Sequence, residues 1–162
     1  MSRGEDQCWL ILKQGQTECR KEDNETMKSC LLIGVNHLGT LIAKKMMESG
    51  YEVMAVDNDE ERINMIQSYV TDSLIGDSTN EEFLKSLGVK EYDLCFVTIA
   101  SDFQYALMTI FLLKELGAGR VIGRANGEIQ EKLLFRSGAD EVIYPEKLAA
   151  EWAAARYGCT DE

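Results

Sequence analysis

The ten residues LLIGVNHLGT, Leu31 to Thr40, set an apolar run directly before a glycine turn and a helical pattern. A buried strand that breaks at glycine and feeds a helix is the opening step of a βαβ unit. The turn has the outline of G-x-G-x-x-G, which cradles phosphates in dinucleotide-binding folds. Gly34 and Gly39 supply its first and third glycines, and Asn36 takes the second place. Gly34 allows the tight turn, and Gly39 lets the helix pack close to the strand. Backbone N–H groups of His37, Leu38 and Gly39 open the helix and would face phosphate oxygens, with the helix dipole behind them. Asparagine tolerates left-handed backbone angles and carries its own donor, so the turn survives with shifted phosphates or weaker affinity.

Downstream, YEVMAVD ends in Asp57, 23 residues after Gly34 and followed by Asn58. A carboxylate there is placed to accept hydrogen bonds from both ribose hydroxyls of an adenosine, and it would repel a 2′-phosphate. The competing reading leaves the two glycines to turn and packing, and has Asp57 cap the helix that begins in DNDEER.

Short β-rich runs alternate with helical ones from Ser29 onward. The strand candidates are CLLIGV, YEVMAVD, VTDSLIGD, DLCFVTIA, RVIGRA and DEVIYP. Gly50, Gly88, Gly117 and Gly138 each close a helical run. In the first helix Leu38, Leu41, Ile42 and Met46 recur on one face. Apolar strands alternating with helices predict an α/β fold: a Rossmann-like, doubly wound, parallel six-stranded sheet with helices on both faces. The expected organisation is an extension over residues 1–28, a nucleotide-binding domain over 29–145, and a crossover or dimerisation helix and tail over 146–162. The helix DFQYALMTIFLLKEL is apolar nearly all round, which suits a core helix or a dimer interface. In the last helix Leu148, Trp152 and Ala155 form an apolar stripe that favours a partner subunit.

Composition narrows the classes. The 162 residues carry 45% hydrophobic side chains and a formal net charge of −11, as expected for one soluble domain. No basic run exists to release counter-ions from nucleic acid, and the acidity would repel an anionic membrane surface. No apolar stretch approaches the roughly 20 residues that span a bilayer, and the first residues do not read as a signal peptide. Five cysteines, Cys8, Cys19, Cys30, Cys95 and Cys159, contain no C-x-x-C pair, the usage of a reducing cytoplasm. His37 is the sole histidine, which argues against Cys/His metal catalysis.

The elements GVNHLG, YEVMAVDNDEER, DSLIGDSTNEEFLKSLG, YDLCFVTIASDFQ, LLKELGAGRVIGRA and LFRSGADEVIYPEKLAAE follow one another in a familiar order. Over Ser29 to Tyr157 the sequence resembles the nucleotide-binding domain of the regulator-of-potassium-conductance proteins, the RCK, KTN or TrkA-N domain. The resemblance implies a cytoplasmic regulatory subunit, homodimeric or larger, peripheral to the membrane. It would bind ATP, ADP, AMP or NAD(H) and gate a membrane potassium channel or transporter. By position it places Gly76, Asp77 and Ser78 on the adenine side, and Thr98, Ile99 and Ala100 beside ribose and phosphates. It sets Arg124 where a basic residue meets phosphates, and Glu146 where some members bind a divalent cation. Two departures stand out. NHLG replaces the GRFG of many members, so His37 stands for a phosphate-contacting arginine. The sequence also ends short of the C-terminal ligand-binding subdomain found in many members. A non-enzymatic sensor is the expectation; an NAD-dependent oxidoreductase cofactor domain and a ligand-free assembly module are the alternatives.

Overall fold

The computed structural model describes Met27 to Gly158. The CWLIL run, Cys8, Cys19 and Cys159 lie outside the described residues, as does most of the expected extension over 1–28.

Six strands form one parallel sheet: β1 Ser29–Ile33, β2 Glu52–Asp57, β3 Asp72–Ile75, β4 Leu94–Val97, β5 Val121–Arg124 and β6 Glu141–Ile143. Their spatial order is β3-β2-β1-β4-β5-β6. The chain winds outward from β1 to β3, then returns to the other side of β1 as β4. That reversal opens a crevice beyond the carboxyl ends of β1 and β4, where ligands of doubly wound sheets bind. The expected fold is the one observed.

The connecting helices are α1 His37–Glu48, α2 Glu60–Ile66, α3 Glu81–Leu87, α4 Phe103–Glu115 and α5 Glu128–Arg136, with a 3-10 turn at Val89–Glu91. A last helix, α6, spans Pro145–Tyr157. Side chains alternate across the strands, so β1 feeds two cores. Cys30 and Leu32 join Val53, Ala55, Phe96 and Ile122 against α1 and α2. Leu31 and Ile33 join Val56, Cys95, Val97 and Val121 against α3, α4 and α5. Burying both faces explains why the strands read as continuous apolar runs, each large side chain contributing roughly 1.5–3 kcal/mol.

Local signals fix the helix starts. Asn36, Asp59, Asn80 and Asp102 each accept a first-turn backbone N–H and cap α1 to α4. Asp59, not Asp57, therefore caps the helix of DNDEER. The expected apolar face of α1 is corrected at one position: Leu41 is exposed, while Gly39 and Ala43 are buried. Small residues form the contact because this helix lies close against the sheet. In α4, Ala106, Thr109, Ile110 and Leu113 are buried, whereas Met108 and Phe111 are exposed.

Met27–Tyr144 forms one compact unit, and α6 belongs to another. No residue of α6 is buried, and Leu148 and Trp152 are exposed. Within it the Trp152 ring meets Tyr157 edge-on at 6.1 Å, with the Arg156 guanidinium over both rings. Among the described residues no helix is long and apolar enough to cross a membrane.

Candidate functional site

The β1–α1 turn is held by interlocking backbone contacts. Gly34 has φ +102°, and a β-carbon there would lie 2.9 Å from the Ile99 nitrogen. At Gly39 an added β-carbon would lie 2.1 Å from the Gly34 oxygen. Close approach thus requires both glycines, and the turn's backbone requires Gly34 as well. Thr98, buried at the end of β4, donates its hydroxyl to the Gly34 carbonyl at 2.6 Å.

Asn36 is not left-handed; its φ of −88° and ψ of −171° are extended. Its side-chain oxygen accepts the Gly39 N–H at 2.9 Å, and its amide nitrogen donates to the Thr98 carbonyl. The residue in the second glycine's place has become a helix cap that ties β1 to β4. Of the three N–H groups expected at the helix opening, that of Gly39 is engaged by this cap. Those of His37 and Leu38 remain at the head of α1.

Asp57 is buried at the end of β2. One carboxylate oxygen accepts the Val35 N–H at 2.7 Å, and the other accepts the Asp59 N–H at 2.9 Å. Each oxygen keeps a second lone pair, so the group can still accept from a ligand. Arg62 on α2 approaches Asp57 at 3.6 Å and Asp59 at 3.7 Å. Two carboxylates against one guanidinium leave this corner net negative, which disfavours a 2′-phosphate.

These groups border a cavity of about 530 Å³ at the switch point, within the size range of small-molecule sites. Of the expected residues, Gly34, Asn36, Asp57, Asn58, Gly76, Ser78, Ile99 and Ala100 line it. The others stand off its wall. Gly39 and Thr98 are buried behind the turn, His37 is exposed, and Leu38 is half-buried. Arg124 is half-buried at the end of β5. Asp77 lies beside the rim, where the Thr79 hydroxyl, the Tyr105 phenol and the Thr79 N–H hold its carboxyl below the usual range. Glu146 is exposed in the first turn of α6. Among the described residues no three His, Cys, Asp or Glu side chains gather to hold a metal ion.

Sequence reasoning missed Arg62, Ser101, Asp102 and Tyr105, which also line the cavity. Tyr105 carried a signal, since it sets a phenol in the first turn of an otherwise apolar helix. Arg62 carried none, because a charged residue on a short surface helix is ordinary.

The strand order, the glycine turn and the buried carboxylate ending β2 define a domain of the Rossmann-type, doubly wound fold. Residues 30–145 match the TrkA-N domain family, and the chain belongs to it. Ktr system potassium uptake protein C of Bacillus subtilis is 38% identical over 120 residues, which cover 74% of this chain and 54% of that protein. The chain spans about half the length of the curated relatives it matches. Among solved structures, the GsuK channel bound to NAD has a TM-score of 0.70 at 12% identity, covering 90% of this chain and 26% of that one. The Kef CTD of Shewanella denitrificans in AMP-bound form has a TM-score of 0.64 at 18% identity, covering 76% and 75%. Both likenesses show the fold.

Proposed function

We propose that this chain is the nucleotide-sensing, non-catalytic part of a potassium-transport system. It takes an adenine nucleotide (AMP, ADP, ATP or NAD(H)) into the crevice between β1 and β4. It then passes the ligand's state to a membrane partner from the cytoplasmic side, as a dimer or larger assembly. The observation that carries the reading is Asp57, fixed by two backbone N–H groups yet facing a nucleotide-sized cavity. Asp57 receives the ribose hydroxyls, and the head of α1 receives the phosphates. The likeness to a potassium uptake protein supports the transport context. Gating follows only if the ligand binds one arrangement of the subunits better than another. Arg124 would report on phosphate state. Any divalent cation would need ligands beyond the exposed Glu146.

Calorimetric titration with AMP, ADP, ATP, NAD, NADH and NADP, with and without a divalent cation, tests this reading. Micromolar binding to any ligand but NADP, lost in a folded Asp57→Ala variant, is the expected result. A second reading, an assembly module without ligand, is favoured by the Asn36 cap occupying the Gly39 N–H. No binding to any of the six would decide for it.

A further inference from the structure

Two side chains line the cleft from opposite faces of the sheet. Arg62 stands on α2, which packs on the Leu32 face, and Tyr105 stands on α4, which packs on the Leu31 face. The direction of an occupant follows from the rest of the site. With phosphates at the head of α1 and ribose at Asp57, the base lies toward Gly76, Ser78 and Tyr105. Gly76 presents bare backbone there, because a β-carbon would lie 2.2 Å from the Phe83 ring.

Tyr105 is fixed at several points. Its phenol donates to Asp77, whose same oxygen accepts the Thr79 hydroxyl at 2.6 Å. Its backbone N–H donates to the Asp102 carboxylate at 3.1 Å. Its carbonyl accepts the Thr109 hydroxyl at 2.9 Å, and Thr109 meets Ser78 at 2.7 Å. Ser78 and Thr109 are both buried, so this chain of bonds is anchored in the core. A ring held in place before binding offers flat apolar surface with little further ordering cost.

We infer that Tyr105 is the base-recognising residue of this cleft, packing against the base of the bound nucleotide, with Asp77 as its positioning residue. The inference rests on the nucleotide reading above and adds to it which side chain meets the base. Sequence patterns do not mark this pair, since it joins the loop after β3 to a helix 28 positions away.

The test uses the full chain and two probes, AMP and ribose 5-phosphate, the second lacking only the base. Tyr105→Ala is expected to weaken AMP binding roughly tenfold, as loss of one base–aromatic contact does, and to leave ribose 5-phosphate binding unchanged. Tyr105→Phe keeps the ring and should restore most of the AMP affinity. Asp77→Ala should fall between them and likewise spare ribose 5-phosphate. Equal weakening of both probes by Tyr105→Ala, or no weakening of AMP, overturns the inference while leaving the nucleotide reading intact. A wild-type protein that binds ribose 5-phosphate as tightly as AMP also overturns the inference, and one that binds none of the six nucleotides overturns both.

Discussion

The side-chain oxygen of Asn36 accepts the backbone N–H of Gly39 at 2.9 Å, so the glycine turn is capped by its own sequence. An anion that approaches α1 must work with the N–H groups of His37 and Leu38, or displace the asparagine. Asn36→Gly therefore separates stability from binding. Losing the cap and the bond to the Thr98 carbonyl is expected to cost about 1 kcal/mol in urea unfolding. Affinity for ADP, measured by calorimetry, should rise, because a third donor is released toward the phosphates. An unchanged affinity would mean that the cap and the ligand do not compete.

Gly39 tolerates no side chain. An alanine β-carbon would meet the Gly34 oxygen at 2.1 Å and the Thr98 hydroxyl at 2.7 Å, both on rigid backbone or buried atoms. Gly39→Ala should destabilise the domain by roughly 2 kcal/mol or more, read as a lower urea midpoint. Gly119→Ala, where an added β-carbon meets nothing within 4 Å, is the matched control and should change little.

The Ser78–Thr109 hydroxyl pair is buried, and Thr109 also donates to the Tyr105 carbonyl, so removing Thr109 strands Ser78, while removing Ser78 takes from Thr109 the donor it accepts. Ser78→Ala and Thr109→Val should each cost about 1–2 kcal/mol. The double variant should cost less than the sum, and a double-mutant cycle measures the difference. Additive losses would show that the two hydroxyls do not depend on each other.

Acid should loosen the rim of the cleft. The Thr79 hydroxyl, followed by the Tyr105 phenol, depresses the carboxyl of Asp77 below its ordinary value near 3.8. A group depressed in the folded state contributes stability that is present above its unfolded value and is lost as pH falls through the folded one. Asp77→Ala should thus be less stable than wild type at neutral pH, and the gap should close below about pH 4. A gap that persists at pH 2 would mean that the ionised form is not what stabilises the rim.

Burial pushes the thiols of Cys30 and Cys95 up to about 12. At pH 8 the folded protein should protect both from a thiol reagent, and denaturant should expose them. Mass mapping of the modified peptides distinguishes these two from the remaining cysteines. Prompt native labelling of either one would contradict the packed sheet.

The strand and helix alternation was legible because each βαβ unit writes its own signals. Apolar runs and the glycines that follow helices act within a few residues. Asp57 was legible for the same reason, standing at a strand end at a familiar distance from Gly34. Leu41 misled, because a helix packed through Gly39 and Ala43 turns its larger leucine outward. Thr98 and Gly39 belong to the site's order in sequence, yet they support the turn from behind and do not line the cavity.

What the sequence by itself determined is the parallel α/β sheet, its two buried faces and the neighbourhood of the site, since all of these follow from periodicity and local caps. Tertiary structure alone decided what Asn36 does, where Arg62 stands and how Tyr105 is held. The reason is physical: a side-chain hydrogen bond such as Asn36 to Thr98 or Tyr105 to Asp77 joins residues far apart in the chain. Its existence depends on which strand ends the winding of the sheet brings together, and no local pattern carries that distance.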